Sequence, residues 1–497
     1  LIISLAVSAA GGKKVAIGGT LATANVFRLT SAFIDDDATV SAKGDKALDT
    51  GERGIVVDAF ANDIIVQAAA SDGVIPEGKA AVAFSANAGF VASFVEAYIG
   101  ENATINAEND EANSEQSVRV SAEHQSLLVG AAGTGGIAVQ GAGVGAATDL
   151  RGFGKVTHAY IDNHAEVNAQ NNGIVESSAT DRYVGLAGGI AVGGQGSGAG
   201  SLAVITFNTD TKAYIDDDAK VTAEGNVKVS AFSDAQILPL AGALAFSTNG
   251  GVPVGIANAT VIKTDTTEAY IGKNAEVTAR GNRDAIEVHT GERPFAFFDA
   301  ETKEIKGVSV TATSFEDIAS IAGGAAGTSG QAGVGGSVSL NILIENTKAY
   351  IDTGAKINES TEGASNEQVV NVSAADTTLL VGLGGALGIA TGGGAGGAGV
   401  DLGNVTKFTE AEIRDGATVK AKGNVLLEAD ADQIIVSASL SGSGGDQAGV
   451  AGALGIGVVI LDTKAVIGKT AVVDAAGSVV RDAGANSYMV QIGGGGG

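Results

Sequence analysis

The chain has 497 residues, 75 of them glycine, with no cysteine or tryptophan, one methionine, 4% aromatic residues and a net charge of −26. Absent thiols exclude disulfides, thiolate metal sites and thiol catalysis, and acidity without any basic tract argues against nucleic acid and anionic membrane as partners. Four prolines and no three-residue glycine period exclude collagen, so the core must consist of Ala, Val, Ile and Leu in thin, closely spaced layers.

The opening stretch, Leu1 to Gly12, resembles Ile434 to Gly445. The sequence thus starts in mid-repeat, as a processed product or a segment of something longer would.

From residue 32 one element returns eight times. Ala213-Tyr214-Ile215-Asp216-Asp217-Asp218-Ala219-Lys220-Val221-Thr222-Ala223 is matched at Ala97 and Ala269, with weaker copies at Ala32, Ala159, Ala349, Ala411 and Ala465. The start-to-start spacings run from 54 to 80 residues. A long, loosely fixed period marks a stacked array in which each unit buries its apolar face against its neighbours. The expected fold is therefore all-β: one continuous, elongated array over 1–497, resembling a parallel β-helix, with about eight units of 54–80 residues.

Each unit has two halves. The first alternates apolar and polar residues in short runs, such as Lys220 to Ala223 and Val227 to Ala231, separated by Asp216-Asp217-Asp218 and Glu224-Gly225-Asn226. That alternation, with Gly/Asn/Asp breaks, predicts short strands joined by tight turns. The second half is small and apolar. Leu379 to Val400 has the length and hydropathy of a membrane helix, but its ten glycines cost a helix about 0.8–1 kcal/mol each relative to alanine. It reads instead as strands with bare faces that let another layer approach closely.

The acidic turns hold the candidate metal ligands. Asp35, Asp37, Asp216, Asp218 and Asp352 occupy equivalent places in their units, and stacked carboxylates could supply the six to eight oxygens that calcium takes. Tight turns require the same residues for their own geometry, and Gly100, Gly272 and Gly468 stand where the first Asp would be. No cofactor is required by this reading; calcium is the one candidate.

Other motifs are weaker. Gly141 to Ala146, with Asp162 downstream, has the outline of a dinucleotide fingerprint. The string recurs near Gly333 and Gly394 with no helix-forming segment after it, so it belongs to the architecture. His124, His158, His164 and His289 lack metal-ligand spacing, and no serine sits in a nucleophile elbow. Five N-x-S/T sequons, at Asn102, Asn258, Asn358, Asn371 and Asn404, fit chance in this composition. One polar excursion lies at Asp72 to Lys79, and an insertion near 289–306 stretches the Ala269 unit. The insertion contains Pro294, Phe295, Phe297 and Phe298, then a charged run, and reads as a loop protruding from one face.

The element Ala213 to Asn226, the following Val227-Lys228-Val229-Ser230-Ala231 and the Gly/Ala segment resemble repeats of large bacterial filamentous adhesins of the filamentous haemagglutinin and leukotoxin-like type. The resemblance covers essentially the whole chain and is specific for repeat style, not for a ligand. It implies a secreted, surface-attached or released protein forming a long right-handed parallel β-helix that mediates adhesion or matrix building.

The expected function is that of a non-enzymatic structural or adhesive filament component, extracellular or at the cell surface, as in a biofilm matrix. Its expected partners are other copies of itself, assembled head to tail or within a longer fibrous polypeptide, and a host or neighbouring-cell surface or polysaccharide. Membrane insertion is not expected. The alternative is a carbohydrate-processing parallel β-helix enzyme, which would show converging carboxylates in one unit.

Overall fold

The structure, a computed structural model, describes residues 1–109, 111–294 and 299–497. The described residues form a parallel β-helix of three sheets. Sheet A has nine strands, among them Gly173–Gly193 and Val227–Ser247; sheet B has eight, among them Gly196–Ile215 and Val252–Ile271. Sheet C has eight short strands of two to four residues, such as Lys220–Ala223. The chain visits A, B and C in turn, and every strand of these three sheets pairs in parallel with its counterpart one coil away.

Two sides of the coil are far longer than the alternation pattern predicts. Val227 to Ala231 is not a separate short strand but the first quarter of the 21-residue strand Val227–Ser247. Leu379 to Val400 is strand, tight turn and strand, as its glycines require. Long flat strands persist because the partner one coil away continues the same ladder. Toward the following coil the ladder of Val227–Ser247 skips Leu238 and Pro239, where the proline supplies no N–H.

The cross-section divides into a base and a wing. In the base, sheets A, B and C enclose a triangle packed with Ala213, Ile215, Ala219, Val221, Val227 and Val229 and their counterparts in other coils, nearly all fully buried. Beyond it sheet C ends and sheets A and B close directly on each other. A second apolar column, including Ile205, Phe207, Ile237 and Val261, fills the neck, and alanines such as Ala187, Ala203, Ala243 and Ala257 fill the wing behind it.

Inside the wing the layers are almost backbone on backbone. A Cβ added to Gly384 would lie 2.5 Å from the Val400 carbonyl oxygen, and one added to Gly399 would lie 2.8 Å from that of Leu440. Stacked sheets ordinarily sit about 10 Å apart; glycine and alanine permit much less. The bare faces expected from the sequence thus point inward, between two layers of one chain, and the larger apolar residues of the wing point outward. Val184, Leu186 and Ile190 of one strand are all exposed, between the buried Tyr183, Ala187 and Ala191.

Candidate functional site

The turn between sheets B and C is repeated in every coil. Its third residue is Asp37, Asn102, His164, Asp218, Asn274, Gly354, Gly416 or Thr470, each with φ between 55° and 72°. Left-handed backbone favours Gly, Asn and Asp, which accounts for Asp37 and Asp218. The backbone N–H of this residue donates to the carbonyl of the second turn residue one coil on, as from Asp37 to Glu101 (2.8 Å) and from Asp218 to Lys273 (2.8 Å).

Asp35, Asp216 and Asp352 occupy the first turn position, and each accepts the next backbone N–H through Oδ1, at 3.0, 2.9 and 2.6 Å. Where the first position is Gly100, Gly272 or Gly468, the preceding coil instead carries Asp at the second position. Asp36, Asp217 and Asp415 then reach across and accept from Glu101, Lys273 and Lys469, at 3.0, 2.7 and 2.6 Å. A Cβ on Gly100 would lie 2.5 Å from Asp36 Oδ1. Glycine and the reaching aspartate are therefore two halves of one device, which explains the glycines that interrupt the acidic pattern. The five candidate calcium ligands sit on this ladder, with Asp35, Asp216 and Asp352 each holding a turn N–H.

Beside the turn, the aromatic residues of the repeated A-Y-I element stack in one column. Centroid separations from Phe33 through Tyr98, Tyr160, Tyr214 and Tyr270 to Tyr350 are 4.8–5.0 Å, and the Arg414 guanidinium caps Tyr350 at 3.5 Å. Two residues earlier, Lys212, Glu268, Lys348, Glu410 and Lys464 alternate in sign, pairing at 2.7–3.5 Å.

The insertion is an antiparallel hairpin, Ile286–His289 with Thr302–Ile305, lying on the outer face of sheet A. His289 stacks on Phe232 at 4.4 Å, and burial pushes its imidazole down to about 4. Arg293 lies over Phe315 and contacts Asp317 at 2.5 Å and Asp234 at 3.7 Å. Burial raises Asp234 to about 6 against the pull of Arg293. A cleft of about 410 Å³ opens beside them, lined by Arg293, Pro294, Leu379, Asp432 and Tyr488 among others. Phe295, Phe297 and Phe298 lie outside the described residues.

The neck holds charges that the sequence reading missed. Lys263 and Lys407, both fully buried, face Asp265, Glu316, Glu345 and Asp376. Lys263 lies 2.8 Å from Asp265, 3.2 Å from Glu316 and 3.7 Å from Glu345; Lys407 lies 3.4 Å from Glu345 and bonds Asp376. Four carboxylates thus share two ammonium groups. Glu316 is held at about 2: burial opposes this, but both lysines and the Ser314 and Thr378 hydroxyls outweigh it. Burial and the Glu316 charge drive Glu345 well above the carboxylate range, while Asp376 is raised to about 7, chiefly by burial. Among the described residues, Glu316, Glu345 and Asp376 are the carboxylates close enough to share one cation, and the two ammonium groups already fill that role.

A second group lies two coils earlier, where Asp181 bonds Lys155 and accepts from Ser126 at 2.6 Å, and His124 pairs with Asp63 at 3.1 Å. These positions were legible in principle. Lys263 and Asp265 share the inward phase of Ala269 and Ile271, so the alternation that buries the A-Y-I element buries them too. His158 pairs with Asp210 at 3.1 Å, and the sequon residues Asn358 and Asn371 are fully buried.

Comparison of the chain with models of protein families, with curated proteins and with solved structures gives no match.

Proposed function

We propose that this chain is a structural and adhesive element of an extracellular filament. The observation that carries the reading is the continuity of equivalent turns and strand ladders from coil to coil, which makes the array itself the functional object. Backbone ladders along three sheets, the stacked aromatic column and the alternating charge column all run along one axis and resist bending and extension. The acidic turns keep the flanks solvated. The likeness of the repeats to filamentous adhesins supports a secreted, surface-associated role, with polysaccharide or a neighbouring cell surface as the adhesive partner. Further coils of the same kind, from this polypeptide or another copy, would extend the ladders at their open strand edges.

Negative-stain electron microscopy of the purified chain tests this. Unbranched rods that lengthen with concentration are expected; particles of a single chain's dimensions at every concentration would overturn self-assembly into filaments. The second reading, a carbohydrate-processing enzyme, is favoured by the carboxylates Asp234 and Asp317 converging on Arg293 beside the cleft. Release of reducing ends from acidic or neutral polysaccharides, abolished by Asp234→Asn, would establish it in place of the structural role.

A further inference from the structure

The outer face of sheet A in the wing is an uncovered apolar surface with relief. Gly133, Gly188, Gly242, Gly323 and Gly385 align in register on five successive strands. A Cβ on Gly133, Gly242 or Gly323 would meet nothing within 4 Å, and on Gly188 or Gly385 its nearest neighbour would be 3.9 Å away. The column is therefore the floor of a groove open to solvent. Leu186, Leu240, Ile321 and Leu383 form one wall, two residues toward the base. Ile190, Leu244 and Leu387 stand on the other side, each more than 40% exposed. Between Leu244, Leu387 and Leu440 the groove encloses about 640 Å³.

Folding does not need this arrangement, since the wing closes on glycine and alanine. Contiguous exposed apolar patches beyond a few hundred Å² mark interaction surfaces. Here nine strands at about 4.8 Å spacing, crossed by the roughly 26 Å from Val184 to Val192, give on the order of 1,100 Å². A stable interface needs about 800 Å² per partner. Sheet B's outer face also exposes apolar residues, among them Val144, Ile256 and Val334, but Thr148 and Asn258 interrupt it, and Ile256 stands in register between Gly200 and Gly336 where sheet A has an unbroken glycine column.

We infer that this face pairs side by side with the same face of a second copy of the chain, an apolar ridge of each seated in the glycine groove of the other. The geometry selects the symmetry. A two-fold axis along the strands would set ridge against ridge and groove against groove. An axis along the rod, lying between a ridge column and the groove column, exchanges them, so the two rods must run parallel. Such a contact is isologous and self-complementary. It is independent of end-to-end extension: lateral pairing sets the width of a particle, and axial stacking sets its length.

The test is mass per unit length by scanning transmission electron microscopy, alongside sedimentation velocity, on the chain and two variants. Gly242→Arg/Gly323→Arg fills the groove where there is open space, and Leu240→Ser/Ile321→Ser removes a ridge. The unaltered chain should show two chains per cross-section. Each variant should halve that value without changing particle length, and the groove variant should keep its melting temperature. Because the chain has no cysteine, a mixture of Gly323→Cys and Ile321→Cys chains carries thiols only at positions that the proposed axis sets opposite each other, and oxidation should trap a covalent dimer of the two. Single-chain cross-sections in the unaltered protein, or pairs that survive both variants, would overturn the inference. Binding of the monomer to neutral phosphatidylcholine vesicles through this face would overturn it in favour of lipid. Loss of length with paired width retained would count against axial stacking alone.

Discussion

Base and wing are built from the same strands, yet they solve burial in opposite ways. In the base the larger apolar residues, Ile215, Val221 and Val229, point inward and the outer positions carry stacked tyrosines and paired charges. In the wing glycine and alanine point inward, and Val184, Leu186 and Ile190 point to solvent. Three sheets can enclose a volume that needs filling; two sheets closing on each other have none to spare. The number of layers, not the composition of the strand, decides which way the larger residues face.

The largest expected effect lies at the neck, where the regimes meet. Lys407→Met would leave Glu316, Glu345 and Asp376 short of one ammonium group in a fully buried site. Removing one partner of a buried ion pair costs about 3–5 kcal/mol, and chemical denaturation should show it. Equal stability would mean that the neck charges are solvated in the folded protein.

Next comes a comparison across one peptide bond. Gly384 faces the Val400 backbone inside the wing, and Gly385 faces outward with its nearest neighbour 3.9 Å from an added Cβ. Gly384→Val should cost about 3 kcal/mol through overpacking, whereas Gly385→Val should stay within about 0.5 kcal/mol for the single chain. Similar losses at both positions would refute the close approach of the two layers.

The base should respond more mildly at its surface. Tyr214→Ser interrupts the ring column at two contacts of 4.8 Å, which stabilise by about 0.5–1.5 kcal/mol each; a loss of about 1–2 kcal/mol is expected in thermal melts.

The pH dependence isolates the neck in a different way. Asp376 titrates at about 7 in the folded chain against an ordinary 3.8, so the folded state retains a proton that the unfolded chain releases. Its contribution makes stability fall as pH rises from about 4 to about 7, and Asp376→Asn should flatten that slope. Glu316, held at about 2, works in the opposite sense: its contribution is present above its ordinary 4.5 and lost as pH falls toward 2. The smallest expected effect concerns the turns. Asp35, Asp216 and Asp352 already accept turn N–H groups, so excess chelator should leave the melting temperature unchanged. A fall in melting temperature would assign calcium to the ladder.

Much of this was legible from the residues alone. The recurrence of A-Y-I, the period-two alternation and the glycine-interrupted apolar runs dictated an all-β stacked array, because a unit that cannot bury its own apolar face must stack. Equivalent tyrosines followed from equivalent phase, and the acidic turns from the residues that left-handed backbone tolerates. The tertiary structure alone decided how long each side of the coil would be, because strand length is set by the ladder one coil away. It also decided that the bare Gly/Ala faces meet within one chain, that Asp36 and Gly100 act together across coils, and that six titratable groups converge in the neck. Residues 53 positions apart in the neck, such as Lys263 and Glu316, and 79 apart in the base, such as Ala279 and Asn358, become neighbours only through the register of the sheets. A sequence displays phase along a strand, but contact between strands depends on how many layers close around them.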